Sequence, residues 1–336
     1  MSLFFNFNQT NRMKFSFIYA YFLLSIGLIC FLLFSCEGPP STSGELNPGI
    51  RLSEPVKESS WVSQGNRSLS EEFRSYWYDG RAELNAYQLS QSRYGELREG
   101  TAVLIFVTEP FLPLSQVKAD RAGEDQVSVL KLNYTKNFLT GIYPYSVMES
   151  TFYPVGHKGH AIKSTFSMQE WCGQVYMQLN NRDGFEVRSY SYFENEGDQE
   201  YQLDKATLES ELWILARISP DELPTGEFDL IPSMEFARLR HQSFKAYKAQ
   251  GRLEIQAGNY VYTVEYPVLG RRLTIEFGRE FPFALYGWEE HYLDGNGRVI
   301  PERTTRARLI QRKKLPYWQL NSNSNQVYRD SLGLGD

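Results

Sequence analysis

The sequence predicts a mainly β protein, an antiparallel meandering sheet or open half-barrel with one or two short helices. Three observations carry this. Aromatic residues make up 15% of the 336-residue chain, with 22 Tyr and 22 Phe, a bias that suits half-buried strands. From about residue 80 onward, short runs of alternating apolar and polar residues follow one another. Gly- and Asn-containing turns separate them, as in "QLNNRDGFEV". A clear helical period is confined to two short segments.

The N-terminus reads differently from the rest. Arg12 and Lys14 precede an apolar run from Phe15 to Phe34, which ends in Leu33-Phe34-Ser35-Cys36 before the chain turns polar. A basic stretch, an apolar stretch and a small residue before the cut describe an export signal over residues 1–35. The Leu-x-Ser-Cys ending is similar to the lipobox of bacterial lipoproteins. In that family the cysteine is acylated and becomes the first residue of the mature chain, here Cys36. The alternative is an uncleaved anchor, since about 20 apolar residues suffice to span a bilayer. Met13 is an alternative start. Either way the remainder belongs to the cell envelope, on the periplasmic or surface side. Loss of residues 1–35 removes two basic groups and no acidic one, taking the net charge from -5 to -7. That acidity excludes nucleic acid as a partner class.

Residues 36–66 hold Pro39, Pro40, Pro48 and Pro55 among Ser, Gly and Glu and predict a tether, with a reach of roughly 30 Å. The globular domain follows over 67–320, with a polar tail at 321–336. "SLSEEFRSYWYDG" predicts a short helix capped by Ser68 with Glu71, Phe73 and Trp77 sharing a side and Gly80 as the stop. Two strands meet at a turn near Gly95, two more at Gly141 and Pro144, and another pair at Asn181 to Gly184. "DKATLESELWILARIS", Asp204 to Ser219, is the second helix, with Leu208, Leu212, Ile214 and Leu215 on one face and Pro220 ending it. "FDLIPSMEFARLRHQSFKAYKAQ" and five further runs resume as strands, the last of them "TTRARLIQRKKLPYW" after the turn at Asp294 to Gly297. The two strand-rich blocks form either one curved sheet wrapping the helix or two subdomains split near 204–224.

The candidate site residues each carry a plain structural alternative. Cys172 is alone once Cys30 leaves with the signal and Cys36 takes lipid, so it forms no intrachain disulfide. Strand alternation places Trp171, Gly173, Val175, Met177 and Leu179 on one side. Cys172, Gln174, Tyr176 and Gln178 fall on the other. As a nucleophile Cys172 would need a base such as His157, His160, His241 or His291. The reading adopted is a small, semi-buried mid-strand residue. "HKGH", His157 to His160, lacks the further ligands a zinc site needs, and no cofactor or metal is expected. The basic run Arg303 to Lys314 could face anionic headgroups or balance the acidic "ENEGDQE" segment. Tyr143 and Tyr145 in one cluster, and Phe283, Tyr286 and Trp288 in another, could line a concavity for an apolar or glycan ligand. They could equally be sheet core.

The segments "SRYGELREGTAVLIFVTEPFLP", "KNFLTGIYPYSVMESTFYPV" and "SMQEWCGQVYMQLNNRDGFEV" resemble a family of uncharacterised lipoproteins from Gram-negative bacteria, over roughly 70–320. Some members carry the label "septum formation inhibitor Maf". Maf proteins have a Ser-Pro-Arg-Arg motif, whereas this chain has "ISPDEL" from Ile218, without Arg-Arg. The resemblance implies location and extent and no mechanism. The expected function is non-catalytic binding of an apolar, glycan or protein partner by a membrane-anchored lipoprotein. A Cys172-dependent hydrolase or transferase and a structural subunit of an envelope complex are the alternatives.

Overall fold

The computed structural model describes residues 61–121, 123–293 and 297–335. The export signal, Cys36 and the tether up to residue 60 lie outside the described residues.

The strands in chain order are β1 (Gly65–Asn66), β2 (Ala82–Arg93), β3 (Glu96–Leu112), β4 (Val117–Lys118), β5 (Val127–Thr140), β6 (Tyr143–Pro154), β7 (His157–Lys158), β8 (Lys163–Glu170) and β9 (Gly173–Asn181). They continue as β10 (Phe185–Ser191), β11 (Gln199–Leu203), β12 (Thr207–Leu208), β13 (Gly226–Ile231), β14 (Tyr247–Gln256), β15 (Asn259–Tyr266), β16 (Arg271–Phe277), β17 (Leu285–Tyr292) and β18 (Thr305–Leu315). The helices are α1 (Glu71–Trp77), α2 (Glu209–Ile218), α3 (Met234–Leu239) and α4 (Val327–Ser331).

The two predicted blocks are one sheet. Its order is β11-β10-β9-β8-β6-β5-β3-β2-β18-β17-β16-β15-β14-β13-β12, with β4 added to β3. Two meanders run outward from the central pair of β2 and β18, which pairs from Ser90 opposite Arg306 to Ala82 opposite Leu315, with a one-residue bulge in β18 between Leu309 and Gln311. Every pairing is antiparallel except that of β12 with β13. The sheet is not closed into a barrel.

Turn chemistry explains the hairpins. Tyr94 and Gly95 both take positive φ (55° and 78°) between β2 and β3, the two-residue geometry that matches strand twist. Gly141 (φ 64°) turns β5 into β6.

The core lies on the concave face around α2. All ten residues of α2 are buried, rather than the one face its period suggests. The sheet curls round it, so the polar residues of the helix are enclosed too. Arg217 donates to Glu83 at 2.6 and 2.9 Å, and neither side chain is exposed. Burial alone would raise the Glu83 pKa, but Arg217 overrides it and holds the carboxyl down at about 2.

Four boundaries differ from expectation. The cap of α1 is Ser70, whose Oγ accepts from Phe73 N–H at 3.0 Å, not Ser68. The run expected as a strand through Ser233 is interrupted by α3, because Pro232 ends β13 and Ser233 Oγ accepts from Phe236 N–H at 3.1 Å. Residues 61–66, expected in the tether, belong to the body. Trp61 packs with Phe111, Val129 and Ile162, and β1 pairs with β7. The polar tail is folded as well. Leu332 is buried against Ala82, Leu84, Ala86 and Val107 on the outer face of the sheet.

Candidate binding rim

Among the described residues, the cavity beside α2 leaves no room for an organic ligand. Between α2, α3 and the sheet sits a cavity of about 20 Å³ lined by charged groups, among them Lys136, Glu149, Glu209, Glu235, Arg271 and Glu290. That volume holds about one water molecule. Its charges are bound to each other. Arg271 grips Glu209 with both terminal nitrogens and Glu290 through Nε at 2.9 Å. Lys136 Nζ donates to Glu235 at 2.8 Å. Burial would raise the Glu290 pKa, but Arg271 and Lys136 override it and bring it to about 2. Glu149 is the exception. Burial, with Glu235 and Glu209 adding to it, lifts its pKa to about 8 despite backbone N–H groups of α3.

Trp288, a candidate for a ligand wall, is core. It is 1% exposed and packs edge-on against Tyr87, Tyr134 and Trp213. Phe283 lies in the loop after β16, against Phe281, which packs on α1. Tyr286 faces outward from β17 and is half-exposed. These three side chains form no common surface. Tyr286 and Trp288, two residues apart, would share a face by alternation, but Glu276 pairs with Gly287 and Phe277 with Leu285, and the bulge that leaves Tyr286 unpaired turns the two to opposite sides.

The other predicted cluster does assemble, on a rim. Antiparallel alternation puts the turns β2–β3, β5–β6, β8–β9 and β10–β11 on the same end of the sheet as α3. Tyr94 and Tyr145 share a hydroxyl–hydroxyl bond of 2.9 Å. The ring of Tyr143 lies 5.9 Å from Tyr145 and 6.3 Å from Trp171. Trp171 is 68% exposed and Ile142 82%. A Cβ on Gly173 would fall 2.3 Å from the Tyr192 ring, so glycine is what lets that ring lie across β9. Tyr192 in turn contacts Phe193 at 4.1 Å. The result is an aromatic ridge.

Cys172 is in this ridge, but not as expected. It is exposed in the turn between β8 and β9, where Glu170 pairs with Gly173. The mid-strand, semi-buried assignment fails because no Gly, Pro or Asn precedes the turn to mark it. Glu170, through a hydrogen bond, raises the thiol pKa, the opposite of what activates a nucleophile. From Val175 on, the expected alternation holds, with Val175, Met177 and Leu179 inward. Gln174 and Tyr176 are outward, and Tyr176 stacks on its cross-strand partner Tyr190.

Beside the ridge, the β10–β11 connection and α3 enclose a pocket of about 200 Å³. Arg238, at 4% exposure, forms its floor with its guanidinium 4.3 Å over Phe193. Arg238 ion-pairs with Glu196, and its Nε has no hydrogen-bond partner among the described residues. His241 Nδ1 meets the other oxygen of Glu196. Burial lowers the pKa of both Arg238 and His241, and Arg93 lowers each further. The remaining wall is rich in amides and hydroxyls, including Asn195, Gln199, Gln242 and Ser243, with Tyr201 and Phe244 as aromatic sides.

Other sequence candidates disperse. His157 Nδ1 meets Asn66 at 3.2 Å, while His160 Nδ1 meets Glu211 at 2.9 Å. Arg306 and Arg308 ion-pair with Glu289 on the adjacent strand, while Glu196 in "ENEGDQE" meets Arg238 and His241. Sequence reading missed the pocket because Glu196, Arg238 and His241 have no fixed spacing that encodes their meeting.

No family model, no curated protein and no solved structure matches this chain.

Proposed function

We propose that the protein is a lipid-anchored, non-catalytic envelope protein whose rim binds a glycan. The observation that carries this is the aromatic ridge beside a pocket walled by amides and hydroxyls. A sugar presents C–H faces that pack on aromatic rings and hydroxyls that need paired donors and acceptors. Asn, Gln and Ser side chains supply both. The anchoring part of the reading rests on the Leu33–Cys36 motif and on the resemblance to uncharacterised envelope lipoproteins. Among the described residues no helix is long and apolar enough to cross a membrane. The protonated state favoured for the Cys172 thiol supports binding over covalent catalysis.

The test is a glycan array spanning neutral, acidic and amino sugars, probed with the purified protein and with a Trp171→Ala/Tyr192→Ala variant. The expected result is saturable binding that weakens at least tenfold in the variant. Absence of any glycan binding, or equal binding by both proteins, overturns the reading.

A further inference from the structure

We infer that the rim pocket takes an acidic sugar, whose carboxylate occupies on Arg238 the place that Glu196 fills in the free protein. This rests on the glycan reading and adds to it the class of sugar.

The argument begins with charge. Arg93, Arg238 and His241 are close enough for each arginine to lower the pKa of His241. Glu196 is the carboxylate that meets Arg238 and His241. The neighbouring Glu194 and Asp198 stand in solvent. With His241 neutral, the Arg238 guanidinium faces the Glu196 carboxylate, and Arg93 adds positive potential nearby. Arg238 is also nearly sealed from water, so its charge is weakly screened there. Its buried Nε has no hydrogen-bond partner among the described residues, so it remains a donor for a second acceptor oxygen once Glu196 moves aside, as in forked guanidinium–carboxylate pairs.

Next comes the nature of Glu196. It sits at the end of a three-residue 3-10 turn, Glu194–Glu196, that has no side-chain cap and is followed by Gly197. Short 3-10 pieces are weakly held. Glu196 also retains partial exposure, with 28% of its side chain accessible, whereas Arg238 has 3%. The carboxylate is therefore the mobile partner and the guanidinium the fixed one. An incoming carboxylate exchanges with Glu196 without leaving Arg238 unpaired at either end of the process, which avoids the penalty of a stranded buried charge.

Size and wall chemistry supply the sugar. The pocket measures about 200 Å³, more than the about 150 Å³ that admits one six-membered ring. Around the charged floor stand Asn195, Gln199 and Gln242, donors and acceptors for ring hydroxyls. A bare inorganic anion would leave these groups and Tyr201 unused.

The experiment is titration calorimetry of the purified protein with D-glucuronate, D-glucose, acetate and inorganic phosphate at low ionic strength. We expect saturable glucuronate binding, at least tenfold tighter than glucose or acetate. Glu196→Gln removes the internal competitor and tightens glucuronate about five- to tenfold, with glucose unchanged. Arg238→Gln abolishes glucuronate binding, and Arg238→Lys, which keeps charge but loses the fork, gives an intermediate loss. Should Arg238→Gln fail to fold, the Glu196→Gln arm decides alone, together with Gln199→Ala on exposed β11. Gln199→Ala is expected to weaken glucuronate without changing the melting temperature. Glucose binding as tightly as glucuronate overturns the acidic-sugar inference and leaves the glycan reading standing. Phosphate binding more tightly than glucuronate overturns it in favour of a simple oxyanion site. No binding of any probe, with a positive glycan array, places the glycan on the ridge and outside the pocket. Glucuronate affinity unmoved or weakened in Glu196→Gln refutes the exchange.

Discussion

Glu149 offers the sharpest test of how the interior is built. The perturbation is Glu149→Gln, which keeps an acceptor oxygen for the N-terminus of α3 and removes the ionisable group. In the folded protein burial, reinforced by Glu235 and Glu209, raises its pKa to about 8 from an ordinary 4.5. A carboxyl with a higher pKa folded than unfolded takes up a proton on folding. Its contribution to stability is complete below about pH 4.5 and is lost as pH rises to about 8. At 1.36 kcal/mol per pKa unit, that window carries about 5 kcal/mol, of which about 3.4 is already lost at pH 7. Glu149→Gln has no such slope, so its stability relative to wild type rises by that amount between the two pH values. Glu235 and His160 also have raised pKa values, Glu235 by burial and His160 because Glu211 overrides burial. His160 titrates in both proteins and cancels in the difference, while the mutual repulsion of Glu235 and Glu149 is already counted in the raised Glu149 pKa. Glu83 and Glu290, held at about 2, lose their contributions as pH falls from about 4.5, below this window. The assay is urea unfolding of both proteins at pH 5, 6, 7 and 8. Parallel profiles, differing by less than about 0.5 kcal/mol in slope across the range, would show that Glu149 is solvated or paired and refute the reasoning.

Three further outcomes are expected. Arg217→Met leaves Glu83 ionised and buried and costs about 3–5 kcal/mol in chemical unfolding, while Arg217→Met/Glu83→Met recovers more than half of that. Gly100→Ala places a Cβ 2.3 Å from the carbonyl oxygen of Asn137 and 2.8 Å from Phe138 Cβ. It therefore costs about 1–3 kcal/mol, readable as a lowered melting temperature. Cys36→Ala leaves a heavier unprocessed precursor on gels of cell extracts, and normal maturation of that variant would remove the lipobox assignment.

The fold was legible where one residue settles a backbone choice. Gly95 and Gly141 require positive φ and mark their turns. Pro220 ends α2, and the alternation from Val175 to Leu179 reads directly as inward. Where the signal is diffuse, reading failed. The turn at Trp171–Cys172 has no glycine within its two residues, so the strand seemed to run through it. The helix α3 is six residues long, under two turns, and too short to show a period. Its only marks are Pro232 and the Ser233 cap. Of the aromatic clusters, Tyr143 and Tyr145 survive as a site because both face the concave side near a turn. "EFPFALYGWEEHY" divides between core and exterior. The Glu196–Arg238–His241 constellation left no trace, since a loop on one sheet edge and a helix from the other meet only in the folded chain.

The position of the site follows from what holds α2 in place. A cavity that admits even one six-membered ring needs about 150 Å³, against about 20 Å³ here. Making that room means withdrawing α2 and parting Arg217 from Glu83 and Arg271 from Glu209, both fully buried pairs. Breaking such a pair costs about 3–5 kcal/mol, and two together approach the whole stability of an ordinary domain, about 5–15 kcal/mol. A ligand entering there would have to unfold its receptor. At the rim the corresponding exchange replaces one carboxylate, Glu196, by another on an arginine that stays fixed, and the sheet need not move. The ion pairs that close the interior are thus the physical reason to look for binding at the edge of the sheet.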